Sequence, residues 1–225
     1  MPQSLSMLLA PGSRFGVLLT SLILMLFLPF LLGSGLESVL TPVLFTVVLL
    51  SSLSAVADTP RHFRVGAALA IPGCGLIVAS SLLTSPNLSV LAEITALLFL
   101  GYTAIAILGF VLRAQRVDLG IVLGSVCVYL LAALMWGVGY QLVEQLRPGS
   151  FSMPGHEADG ALRNALQYFS FVTITTLGYG DIQPVTRFAR MLSALEAIVG
   201  QLYLVILVAR LVGLHTALES AKRGA

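Results

Sequence analysis

The chain has 225 residues, 57% of them hydrophobic and only 10% charged, with a net charge of +2 and a mean hydropathy of +0.98. An average soluble domain carries about 25% charged residues, so this composition excludes the soluble globular class and implies an integral membrane protein. The small net charge carries no nucleic-acid signal, and two cysteines provide neither a disulfide framework nor metal-ligand spacing.

Helices of about 20 apolar residues span a hydrocarbon core of about 30 Å, and six stretches approach that length: Phe15 to Leu32, Pro42 to Ala57, Val65 to Leu83, Leu88 to Leu112, Leu119 to Leu142 and Phe188 to His215. The first could instead be a signal peptide, but Pro29, the lack of an A-x-A site and the length argue against it. Cytoplasmic loops collect Lys and Arg. With the amino terminus inside, Arg14, Arg61, Arg64, Arg113, Arg116, Lys222 and Arg223 all fall on the cytoplasmic side, and the outer loops Gly33 to Thr41 and Thr84 to Asn87 contain no cation. Arg147, Arg163, Arg187 and Arg190 fall outside, in the long segment between the fifth and sixth stretches and its exit, where the rule is weaker. The expectation is a multi-pass protein of the cell membrane with both termini cytoplasmic. Cys74 and Cys127 lie inside apolar stretches, where a free cysteine acts as a small packing residue.

Between the fifth and sixth stretches, residues Ala161 to Thr175 read as a re-entrant helix, with Asp159 placed to cap its first turn. It leads into Thr173 to Asp181, T-I-T-T-L-G-Y-G-D, a polar run between two apolar stretches. Glycine adopts positive φ without a Cβ penalty. Gly178 and Gly180 therefore allow a strand whose successive carbonyls point to one axis, and rings of carbonyls can replace the hydration shell of an ion. No phosphate-binding glycine motif is present.

The run Thr176, Leu177, Gly178, Tyr179, Gly180, Asp181 resembles the T-x-G-Y-G-D signature of the bacterial potassium-channel family, most strongly over Leu162 to Gly213. The resemblance implies an all-α membrane protein of six transmembrane helices, with a re-entrant pore helix and selectivity-filter loop between the fifth and sixth. It also implies K+ as the permeant ion, no cofactor and no enzymatic activity. Ions would meet the carbonyls of Thr176, Leu177, Gly178 and Tyr179, with the Thr176 hydroxyl innermost and Gly180 at the outer mouth. Each chain has one such run, and non-helical backbone at membrane depth must be buried in protein or line a water-filled path. The expected partners are therefore three further copies in a homotetramer, and the lipid bilayer.

The same resemblance assigns the aromatic cuff around the filter to Tyr168 and Phe169, where many relatives carry tryptophans, with Tyr168 able to donate to Asp181. A glutamate that some relatives hold behind the filter falls at Val172. Glu196, inside the sixth apolar stretch, is then a functional candidate, since an ionisable group at membrane depth is costly. Two placements are open: against the back of the pore helix, bonding Thr173 or Thr175 in place of that glutamate, or near the outer interface in water. Gly200 matches the family's inner-helix glycine and reads either as a gating hinge or as a close-packing residue. Gln201, Leu204, Val208 and Val212 fall at cavity and gate positions.

The fourth stretch contains no Lys or Arg, and its one charge is Glu93. Moving one charge across the membrane is worth about 2.3 kcal/mol per 100 mV, so steep voltage gating through this helix is not expected. Residues 1–118 form a four-helix amino-terminal region, 119–217 the pore domain and 218–225 a short cytoplasmic tail. A weakly selective cation channel, with Leu177 in place of the usual valine or isoleucine, and a non-conducting subunit or sensor that keeps the pore fold are the alternatives.

Overall fold

A computed structural model describes residues 11–32, 37–56, 60–83, 85–154 and 159–223. These residues form seven helices and one two-stranded ladder: α1 (Pro11–Leu32), α2 (Glu37–Val56), α3 (Pro60–Leu83), α4 (Pro86–Arg113), α5 (Leu119–Leu146), β1 (Phe151–Ser152), α6 (Asp159–Ile174), β2 (Gln183–Pro184) and α7 (Arg187–Arg223). Among them four helices are long and apolar enough to cross a membrane, over Arg61–Ser80, Pro86–Arg113, Leu119–Leu146 and Arg187–Leu214. The apolar parts of α1 and α2 are shorter, Arg14–Leu28 and Leu40–Ala55.

Local chemistry explains the element ends. Pro60 and Pro86 open α3 and α4, where a missing N–H costs nothing. At the start of α5 the Asp118 carboxylate accepts from the Ile121 amide at 2.9 Å, which meets one of the donors a helix start leaves unpaired. The apolar stretches understate the helices because helix propagates into polar sequence until something breaks it. Thus α7 runs nine residues beyond Leu214 without interruption. α2 begins at Glu37 rather than at Pro42, which lies within the helix. A proline removes its own bond to the residue four earlier and its ring crowds that residue's carbonyl, yet the helix continues through Pro42. Asp159 begins α6, and its side chain lies outside the described set.

α1 packs on α2, α3 on α4, and both α1 and α4 pack on α5. One core crosses the expected boundary at residues 118 and 119: Phe15, Leu18, Val48, Phe99 and Leu100 are continuous with Leu131 and Leu134 of α5. Among the described residues, the amino-terminal helices and α5 therefore share one core. Cys127 lies in this core, 0% exposed, and Cys74 packs against it, as packing cysteines would. A smaller cluster of Tyr140, Phe151, Leu166, Phe169, Ile182 and Ala189 holds α6 between α5 and the start of α7.

The segment between α5 and α7 is tied at its base. β1 pairs antiparallel with β2, Phe151 opposite Pro184 and Ser152 opposite Gln183. Gly149, at φ +82°, turns the chain so that its amide and that of Phe151 both donate to the Glu144 carboxylate, at 2.6 and 3.0 Å. The carbonyl of Ser150 accepts from Val185 at 2.8 Å. These bonds bring the two ends of the 151–184 segment together and leave α6 and the 175–181 run projecting between α5 and α7.

Candidate functional site

The end of α6 accounts for its own carbonyls, which a helix terminus otherwise leaves unpaired. The Thr176 amide donates to Thr173 at 2.9 Å and the Leu177 amide to Val172 at 2.9 Å, with the Gly178 amide also approaching Val172 at 3.3 Å. This is a Schellman closure, whose first residue past the helix takes a left-handed conformation and is usually glycine. Here it is Thr176, at φ +59°. A β-branched residue in this region is an outlier, and strained backbone persists only where its surroundings over-determine it. The sequence assigns positive φ to Gly178 and Gly180 alone, and they take it, at +60° and +79°. Thr176 joins them because the helix must be closed at that residue. Residues 176, 178 and 180, at positive φ, thus alternate with 177 and 179.

The fourth carbonyl of the helix end, Ile174, accepts from the Tyr129 hydroxyl of α5 at 3.0 Å. Tyr129 is one member of a stripe on α5 at four-residue spacing that holds α6 along its length. Ala133 presents its carbonyl to Ser170 at 2.6 Å and to Gln167 at 3.2 Å. Gly137 leaves room for the Gln167 side chain, which a Cβ there would displace. Gln141 donates to the Arg163 carbonyl at 3.2 Å. An orphaned buried carbonyl costs about 1–3 kcal/mol, so Tyr129→Phe is expected to lower the midpoint of thermal unfolding in detergent by several degrees. Tyr129 also stacks on Tyr203 of α7 at 6.0 Å, and Tyr203 donates to the Ser125 carbonyl at 2.7 Å.

Glu196 is completely buried and faces the back of α6, and its partners differ from those expected. It reaches neither Thr173 nor Thr175; the Thr175 hydroxyl donates to its own helix, to Phe171 at 2.7 Å. Instead the Glu196 carboxyl contacts the Tyr140 hydroxyl and the Ser170 hydroxyl, each at 2.5 Å. The hydrated placement near the outer interface is thereby excluded, and the replacement of Thr173 and Thr175 has a geometric reason. Glu196 meets α6 one turn before its end, level with Ser170, where α5 and α7 both touch it. Ser170 has a single proton and lies within reach of two acceptors, Glu196 and the Ala133 carbonyl. An ionised Glu196 accepts from Tyr140 and competes with Ala133 for the Ser170 proton; were Glu196 protonated, Tyr140 would donate to one oxygen, the other would donate to Ser170, and Ser170 to Ala133.

The expected cuff residues divide. Tyr168 lies close enough to Asp181, the last residue of the run, to interact with it electrostatically. Phe169 turns the other way and packs edge-on against Tyr140 at 5.3 Å and Phe151 at 5.5 Å. Within one chain it supports α6 and leaves Tyr179 alone, because α5 offers an apolar socket on that face. Val172 is buried behind the run.

On α7, Gly200 lies against the last residue of α6. A Cβ on it would stand 2.5 Å from Ile174 Cγ1 and 2.9 Å from the Ile174 carbonyl oxygen, and α7 continues through it as one helix. Of the two readings of this glycine, close packing is the one with a contact behind it. Gln201, Val208 and Val212 are exposed and Leu204 is half-buried, whereas Tyr203, Leu207 and Leu211 pack inward on the bundle core. Leu177 and Tyr179 are 56% and 67% exposed, and every residue from Thr175 to Asp181 faces open space in the single chain.

The loop-cation pattern leaves one residue out of account. Arg210, in the carboxyl-terminal half of α7, donates through its guanidinium to the carbonyls of Leu112 and Ala114, where α4 ends. A basic side chain completing a helix carboxyl terminus is favourable for both the open carbonyls and the helix dipole. A lone arginine in an apolar stretch was the available signal, as were Tyr129, Tyr140 and Tyr203, whose hydroxyls need partners wherever their rings are buried.

Residues 164–216 match the family model described as an ion channel. No curated protein and no solved structure matches the chain. The matched stretch covers most of α6, the polar run and the apolar part of α7, and with four helices of membrane-spanning length and composition it supports a membrane ion channel of the pore type.

Proposed function

We propose that the chain is one subunit of a homotetrameric potassium channel of the cell membrane, conducting K+ passively through a filter made of four copies of Thr176 to Gly180. The observation that carries this reading is the alternation of positive φ at Thr176, Gly178 and Gly180 on a strand whose residues face open space. Exposed carbonyls at membrane depth would be costly against lipid, and four strands around an axis give them an ion to bind. The exposed face of α7, including Val205 at 64% and Val208 at 57%, supplies surface for neighbouring copies and for lipid.

On this reading α6 is re-entrant, α1 to α5 and α7 make six crossings, and both termini are cytoplasmic. Gln201, Leu204, Val208 and Val212 line the cavity and its inner constriction, where apolar rings gate by dewetting. Glu93 is the one charge within α4 until its last residue, Arg113, so conductance does not rise steeply with voltage through that helix.

A weakly selective cation channel is the second reading, favoured by Phe169 facing α5 and giving the filter no support within its own chain. The purified protein in liposomes decides among these. Barium-sensitive K+ flux, with a reversal potential in mixed K+ and Na+ that follows K+, is the expected result. Equal permeation of both ions selects the second reading, and no flux at all from folded tetramers selects a non-conducting scaffold.

A further inference from the structure

A cleft of about 790 Å³ opens where α4 ends and α5 begins. Its mouth holds Arg113 and Arg116, both exposed, and neither is paired with a carboxylate among the described residues. His62 and Tyr102, joined by a 2.8 Å hydrogen bond, form one polar wall. Asp118 also lines the cleft, but its carboxylate is engaged by the first turn of α5. Ile105, Phe110 and the bare backbone of Gly109, beside which a Cβ would meet nothing within 4 Å, give the cleft an apolar side.

Two unpaired guanidinium groups at the mouth of an apolar cleft make an amphiphilic site with net positive charge. Basic pockets between membrane helices on the cytoplasmic side suit anionic lipid head groups. We propose that this cleft binds one anionic phospholipid per subunit, its phosphate between Arg113 and Arg116 and an acyl chain along Ile105, Gly109 and Phe110. The proposal rests on the orientation given above, which puts residues 113–118 at the cytoplasmic leaflet. A soluble phosphate has the charge but no use for the apolar wall, and a zwitterionic lipid has the chains but cancels the charge. The bound lipid lies against Ala114, whose carbonyl is held by Arg210 of α7, so the site adjoins the contact between the amino-terminal helices and the inner helix.

The test uses the full chain purified in detergent and native mass spectrometry, which reads bound lipid without any ion flux and so separates failure of this site from failure of the channel reading. Titration with phosphatidylglycerol and with phosphatidylcholine of the same acyl chains is expected to show about ten-fold tighter retention of the anionic lipid. Arg113→Gln with Arg116→Gln removes that preference, and Gly109→Phe, which fills the cleft and keeps both arginines, lowers retention of both lipids. Arg147→Gln, outside the cleft, changes neither. Equal retention of the two lipids by the unaltered protein overturns the proposal, as does an unchanged preference in either cleft variant. Displacement of the lipid by glycerol phosphate at equal concentration also overturns it, since the site would then take a soluble anion. If the double arginine variant does not fold, Gly109→Phe carries the test alone.

Discussion

Gly200→Ala is expected to abolish most ion flux and to destabilise the assembled protein, although alanine is the better helix former by about 1 kcal/mol. The added methyl cannot be accommodated by a rotamer change alone, because it meets both the Ile174 side chain and the Ile174 carbonyl oxygen. Overpacking of this kind typically costs about 1–3 kcal/mol. The displacement falls on the residue that closes α6, and the next residues are Thr175 and Thr176. Ile174 is also the acceptor of the Tyr129 hydroxyl, so a shift of α7 there would disturb the hydrogen bond that holds the base of the 176–180 strand. Thermal dissociation and liposome flux, measured on Gly200→Ala, Ile174→Ala and the double variant, form a cycle that isolates the contact. Partial rescue in the double variant is expected, since Ile174→Ala removes the side-chain clash and leaves the carbonyl. A hinge would behave otherwise: Gly200→Ala would keep or raise stability and alter only opening, and Ile174→Ala would not help it.

The second large effect is expected at Glu196, and it distinguishes an acid from a carboxylate. Glu196→Ala leaves the Tyr140 and Ser170 hydroxyls facing a void, and the lost bonds and cavity together cost about 2–5 kcal/mol. Glu196→Gln keeps one acceptor for Tyr140 and supplies a donor to Ser170, which matches the hydrogen-bond directions of the protonated acid. It is therefore expected to stay within about 1 kcal/mol of the unaltered protein, with flux retained. Thermal unfolding of the two variants side by side settles the matter. If Glu196→Gln is as damaging as Glu196→Ala, the group is ionised and the proton assignment is wrong.

Both predictions concern contacts at α6, and they show where sequence reading was adequate and where it was not. The polar run, the helix before it and the long apolar helix after it were legible because each is a local pattern. Glycine takes positive φ without a Cβ penalty, so two glycines at alternate positions allow that backbone, and Gly178 and Gly180 adopt it. Glu196 stood out because a carboxyl group in an apolar stretch must find partners. Its partners were not legible, since they depend on which face of α7 meets α6 and at what height; Thr173 and Thr175 were near in sequence to the run, while Ser170 and Tyr140 were near in space. Phe169 is assigned to the filter cuff by the resemblance, and within one chain it packs into an aromatic socket formed by Tyr140 and Phe151, distant in sequence.

The amino acid sequence alone determined the membrane class, the position of the polar run between two apolar stretches and the absence of a cationic ladder in the fourth stretch. These follow from composition and short-range backbone chemistry, which need no neighbour. Only the tertiary structure decided that Thr176 takes the left-handed conformation, that Gly200 serves contact with Ile174, that Tyr129 closes the carboxyl end of α6 and that Arg210 closes α4. The physical reason is common to all four. A helix end, a close approach or a buried hydroxyl is satisfied by whichever group packing brings within about 3 Å, and in this chain that group lies between 26 and 98 residues away in every case except Thr176, whose partner is three residues away.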